Sequence, residues 1–184
     1  LRGALQGVLG SILVVTVFPV VVINVKPTRL ALHFVFALGL LCYTFWFSLQ
    51  LLVPQNSKVI YPSLKKFTWL ILILLAVQLV YGSLMAGHKA ATVAPTWPRI
   101  NGTFIPAGMF SMSGGLLDLI ENSITIHFIH RFLAFLLFVA LLIWTGKAFK
   151  KKSTGLVSKT KWLPLLFVFI QAALGIGSVL TSIK

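Results

Sequence analysis

Five stretches of the chain are apolar for about twenty residues at a time, and polar positions fall almost entirely between them. They cover residues 4–24, 30–53, 67–87, 123–145 and 162–181. A helix needs about 20 apolar residues to cross the hydrocarbon core of a bilayer, so each stretch predicts one transmembrane helix. Lipid offers the backbone no hydrogen-bond partners, which selects helices over open strands. The expected fold is all-α, a polytopic transmembrane helix bundle with five helices in this chain. The first stretch is too long for a signal peptide and no small-residue cleavage site follows it, so it too reads as a membrane helix.

Composition agrees: the chain is 58% hydrophobic and 10% charged, with a mean hydropathy of +0.99, far from the soluble balance. Cys42 is alone and lies inside the second helix, so no internal disulfide forms. The net charge of +14 is unevenly shared. Five helices alternate the connections between two sides. Ten of the 16 basic residues, from Arg2 through Lys58, Lys65 and Lys66 to the 147–161 segment, fall on one side. Lys26, Arg29, Lys89, Arg99 and Lys184 fall on the other, and Arg131 sits within a helix. The positive-inside rule then places the Lys147–Lys161 segment in the cytoplasm and residues 88–122 outside. Lys150-Lys151-Lys152 sets topology and meets anionic lipid. A nucleic-acid partner is excluded, because no basic patch is interleaved with stacking aromatics on a soluble fold.

The fourth stretch departs from its apolar pattern at Ile124-Thr125-Ile126-His127-Phe128-Ile129-His130-Arg131. Ionisable side chains are costly in lipid, about 2.5–3.5 kcal/mol for arginine on insertion scales, and usually face a partner or cofactor. His127 and His130 are three apart and share a helix face. Imidazoles in a membrane interior are favourable ligands for haem iron. His33, near the outer end of the second helix, and His88, at the end of the third, fall on the same side as His127 and His130. Any one of them alone would read as a hydrogen-bonded helix residue; their convergence favours a shared partner.

A repeat runs through the helices. Gln6-Gly7-Val8-Leu9-Gly10 resembles Gln171-Ala172-Ala173-Leu174-Gly175, with Gln78-Leu79-Val80-Tyr81-Gly82 a looser third copy. The glycine lets a neighbouring helix or a flat ligand approach closely, and the amide can hydrogen-bond across the gap. Ordinary small-residue helix packing is the competing explanation; a duplicated bundle accounts better for the recurrence. The duplication also predicts helices beyond both ends. Gln171 lies about ten residues into its helix while Gln6 has five residues before it, and the chain opens on Leu1.

The longest connection, 88–122, has the composition of an ordered loop, with Pro95-Thr96-Trp97-Pro98 and Asn101-Gly102-Thr103-Phe104-Ile105-Pro106. Loops this long in compact proteins are usually functional. Residues 116–120 are expected to form a short interfacial helix. Asp118 and Glu121 are the only acids in the chain. Glu121 is expected to cap the fourth helix, favoured by its N-terminal dipole, rather than to act in catalysis.

Together these motifs carry a resemblance. Gln78-x-x-x-Gly82-x-x-x-Ala86-Gly87, Trp97-Pro98-x-x-Asn101-Gly102-x-x-Ile105-Pro106, Glu121-Asn122 and His130-Arg131 occur in the order and spacing of haem A synthases. Arg29-Leu30-Ala31-Leu32-His33 and the other two Gln-x-x-x-Gly segments extend the likeness over nearly the whole chain. That family has eight transmembrane helices in two similar four-helix halves, of which this chain resembles the third to the seventh. The resemblance implies two haems, haem O as substrate and haem b as cofactor, each held between two histidines. It implies that His33, with Arg29 and Gln6 nearby, belongs to the substrate haem. His130, with Arg131, Gln78 and Gln171, would serve the cofactor haem. Residues 1–53 then close the first half, 54–66 form a cytoplasmic linker, and 67–184 make most of the second.

The reaction so implied oxidises a ring methyl of haem O to the formyl group of haem A, a task for a redox cofactor rather than for side chains. It supplies haem A to terminal oxidases. Arg29, Arg99, Lys89 and Arg131 are candidates for haem propionates; Arg29 and Arg99 read equally well as interfacial anchors. An electron donor and a possible homo-oligomer complete the expected partners, in an integral membrane protein of a bacterial cell membrane. Three departures stand out. The family's glutamate, three residues before a His-Arg pair, falls in a helix of the first half outside this chain. His127 occupies the equivalent place here, and the 88–122 loop lacks the cysteine pair common in bacterial members. The rivals are a bis-histidine b-type cytochrome that only carries electrons and an inactive membrane subunit of the same fold. Glu-x-x-His-Arg in the upstream helix would favour the enzyme.

Overall fold

Prolines open the first two long helices of the computed structural model, which describes residues 7, 27–54, 61–112, 115–153 and 155–181. Helix α1 (Pro27–Leu52) and α2 (Pro62–Gly87) both start at a proline, whose missing N–H is no loss in the first turn. This carries each helix three to five residues beyond the limits that hydropathy alone suggested, and brings Lys65 and Lys66 into α2. Two single-turn helices follow, α3 (Ala90–Val93) and α4 (Asp118–Glu121), the second close to the expected 116–120. Helix α5 (Ser123–Phe149) extends past residue 145 to place Lys147 in its last turn, where a cation suits the helix dipole. A short α6 (Gly155–Thr160) leads into α7 (Leu163–Thr181). Among the described residues four helical segments are long and apolar enough to cross a membrane: α1, α2, α5 and Val157–Thr181. Apart from Gly7, the first expected helix, 4–24, lies outside the described residues, as do Gln6, Gly10, Arg2, Lys26, Lys58 and Lys184.

Each long helix packs against the next: α1 on α2, α2 on α5, and α5 on α7. One apolar cluster centres on Ile71, Leu137, Ala140 and Leu141, with Trp144, Leu165 and Val168 packed against it. A second joins Ala31 of α1 to Leu84 of α2 and Ile126 of α5. Small residues permit these approaches. A side chain at Gly87 would place its Cβ 2.8 Å from that of Pro27, so α1 rests by its first residue on the last residue of α2. The outward faces expose Leu41, Phe45, Phe135 and Phe167. Such surfaces suit lipid, where apolar exposure carries no penalty. This is an integral membrane protein.

The two ends of the bundle differ. At the basic end the Tyr61 hydroxyl donates to the Lys152 carbonyl at 2.7 Å and Trp144 Nε1 donates to Thr68 Oγ1 at 2.9 Å. The other end collects the start of α1, the end of α2, the long loop and the start of α5. His33, His88, His127 and His130 all lie toward it. The loop is ordered by its turns: Asn101 and Gly102 take φ of +49° and +87°. Ile100 and Thr103 exchange backbone hydrogen bonds of 2.8 and 3.1 Å around them, the two-residue turn that Asn-Gly favours.

Candidate functional site

The site is built where α5 begins, and Asn122 sets that beginning. Its side-chain oxygen accepts from the backbone N–H of Ile124 and Thr125 at 2.9 and 3.1 Å, an N-cap arrangement. Its Nδ2 donates to the Gly108 carbonyl at 3.0 Å, and buried Thr125 accepts from Phe110 N at 3.2 Å. The cap is therefore Asn122 and not Glu121, which is exposed at the end of α4. Asp118 is buried and accepts from Met112 N at 3.2 Å, so it holds the loop. His88 caps α2, and its Nε2 lies 2.9 Å from the Ile120 carbonyl, a structural link between α2 and α4.

One turn into α5 the two histidines diverge. His127 is fully buried and its ring approaches the backbone of Ala90 without reaching hydrogen-bond geometry, so both ring nitrogens lack a partner. His130 is half-buried and turns toward α2. A Cβ at Gly82 would sit 3.4 Å from His130 Cε1, so the absence of a side chain there makes room for the imidazole. His130 Nε2 lies 3.4 Å from Gln78 Nε2, long for a hydrogen bond and hence weak. The glutamine and glycine of the 78–82 copy thus both meet one histidine. With Gln78 donating, Nε2 keeps its lone pair and the proton sits on Nδ1, which is buried without a partner.

Arg131, the next residue, is fixed to the loop. Its NH2 donates to the Thr96 carbonyl at 2.6 Å and its guanidinium lies 5.5 Å over the Trp97 ring, while NH1 is buried with no partner. Arg99 stacks on Phe104 at 5.1 Å, and Lys89 is exposed. On α1, Arg29 and His33 are half-buried, and His33 Nδ1 is buried without a partner. Gln171 is exposed on α7, and nothing lies within 4 Å of where a Gly175 Cβ would be. That copy of the repeat meets no partner among the described residues. Thr96, Trp97 and Asn122 stood in the sequence only as parts of motifs, and their structural roles, like that of Thr125, were not foreseen; an asparagine directly before an apolar run was the available signal for the cap.

These residues fit a haem better than a bare metal ion. Among the described residues no three His, Cys, Asp or Glu side chains come together, whereas a porphyrin leaves only axial positions to the protein. A neutral imidazole whose lone pair meets only a weak contact, laid over a glycine in apolar surroundings, would suit haem iron.

The family of cytochrome oxidase assembly proteins, COX15-CtaA, matches residues 1–184, the whole chain. The chain belongs to that family. Among curated relatives of this assembly family, the chain is 35% identical to a heme A synthase of Wolbachia pipientis over 87% of its own length and 46% of the relative's. It is 33% identical to one from Nitrosomonas eutropha, over 98% of this chain and 52% of the relative. It is 29% identical to one from Bartonella quintana, over 87% and 44%. The chain spans about half the length of the curated relatives it matches. No solved structure matches it.

Proposed function

We propose that this chain belongs to a haem A synthase, converting the ring methyl of haem O to the formyl group of haem A. The observation that carries the reading is His130. Its imidazole lies over Gly82 inside an apolar bundle, with Nε2 engaged only by a weak 3.4 Å contact to Gln78, in a chain matched along its full length by the assembly family. The relatives named heme A synthase support the same activity. A bound haem supplies the redox chemistry that an unreactive methyl demands. The protein's own residues hold and orient it. His130 would bind iron through Nε2, with the weak 3.4 Å contact to Gln78 giving way to the metal bond, and Arg131 would offer its unbonded NH1 to a propionate.

His33, Arg29 and Gln6 are assigned to the substrate haem, and His130, Arg131, Gln78 and Gln171 to haem b. Residues 1–53 and 67–184 then belong to separate haem-binding halves joined by 54–66. The bacterial relatives favour the cell membrane. The charge imbalance favours a cytoplasmic 147–161 segment and an external loop, with electrons arriving from a separate donor.

The test uses the full-length protein purified in detergent. His130→Ala is expected to remove a low-spin haem signal and to abolish conversion of haem O to haem A in extracted haems. Retention of both would overturn the reading. Wild-type protein with bound haem but no conversion would identify an electron-carrying cytochrome instead.

A further inference from the structure

The end of the bundle away from the histidines contains a cavity of about 520 Å³ among α2, α5, α6 and α7. Leu64, Trp144 and Val157 give it an apolar wall, and Lys65 and Lys161 bring positive charge to it. The wall is fixed, since Trp144 is held by Thr68. Lys161 is fixed too: its Nζ donates to Ser153 Oγ at 3.1 Å and lies 4.5 Å over the Phe149 ring. That single hydrogen bond leaves the ammonium with further hydrogens to donate. No carboxylate balances this charge, because the chain's only acids, Asp118 and Glu121, lie at the opposite end of the bundle. The cavity thus joins an apolar wall to an uncompensated pair of lysines at a membrane surface.

We propose that this cavity binds one anionic phospholipid, with its phosphate between Lys65 and Lys161 and an acyl chain along Leu64, Trp144 and Val157. Basic pockets between transmembrane helices suit acidic headgroups. Free phosphate would satisfy the lysines and leave the apolar wall wet. A zwitterionic lipid would fill the wall but carry its own cation to the lysines. The site is independent of the haem reading.

The experiment uses full-length, delipidated protein with its haem retained. It is titrated separately with phosphatidylglycerol, phosphatidylcholine and inorganic phosphate, and read by native mass spectrometry and thermal melting. Phosphatidylglycerol is expected to bind one to one and raise the melting temperature, while the other two leave it unchanged. K65Q and K161Q should each weaken that binding about fivefold, and the pair about thirtyfold. The K150Q/K151Q variant removes two lysines that meet lipid diffusely at the surface but do not line the cavity, so the one-to-one binding should persist as in wild type. Lys65 is exposed, so K65Q keeps the fold, and an unchanged haem spectrum verifies this. Equal weakening in K150Q/K151Q would overturn the proposal in favour of diffuse surface charge. A phosphate response equal to that of the lipid, or K65Q and K161Q both binding as wild type, would also overturn it.

Discussion

How closely α2 approaches His130 is decided by a single missing side chain. Gly82→Leu must place four more carbons where the imidazole already lies, and overpacking of this kind costs about 1–3 kcal/mol. Gly39 meets nothing within 4 Å, so Gly39→Leu is expected to be near neutral. Thermal unfolding in detergent, with haem content measured on the same samples, separates the two. Equal effects would show that Gly82 does not govern the approach. The sequence suggested the kind of contact, an amide and a glycine facing a partner across a helix gap. It could not tell which copy finds that partner, because Gly82 and Gly175 share the same local pattern and differ only in what packs beside them. His127 makes a second test. Its nitrogens have no hydrogen bonds to lose, so His127→Leu is expected to shift stability by less than about 1 kcal/mol and to keep the haem spectrum that His130→Ala loses. A larger haem loss in His127→Leu would exchange the two assignments.

At the scale of elements, hydropathy located every long helix among the described residues and placed the end of α2 and the start of α5, but missed the starts of α1 and α2 and the end of α5. The reason is physical: lipid fixes how much apolar chain a helix needs, whereas its ends depend on single residues that terminate the hydrogen-bond ladder. Pro27 and Pro62 start helices in polar sequence. Glu121 and Asn122 are adjacent, so a shift of one residue in the start of α5 decides which of them caps it. Asn122→Ala removes both cap bonds and the link to Gly108, and is expected to cost about 1–2 kcal/mol. Glu121→Gln should cost nothing measurable. Thermal melting of the two variants tests the assignment, and the opposite ranking would return the cap to Glu121.

For the whole molecule, charge and helix alternation gave the arrangement in which all four histidines share one end. Packing could not be foreseen in the same way, since the meeting of Ala31, Leu84 and Ile126 joins positions nearly a hundred residues apart. Orientation is open to direct measurement. In a Cys42→Ser background, an impermeant maleimide applied from outside intact cells is expected to label Thr103→Cys and spare Lys151→Cys; the reverse would invert the bundle. The anchoring of the long loop has a practical consequence for anyone recombining these proteins. Thr96 and Trp97 hold Arg131, Gly108 holds Asn122, and Phe110 holds Thr125, so the loop is tied to three side chains of the helix it precedes. It is not an exchangeable cassette. A chimaera that imports residues 88–121 from a relative imports half of each bond. It will seat properly only if Asn122 and the first nine residues of α5, with His130 among them, travel in the same graft.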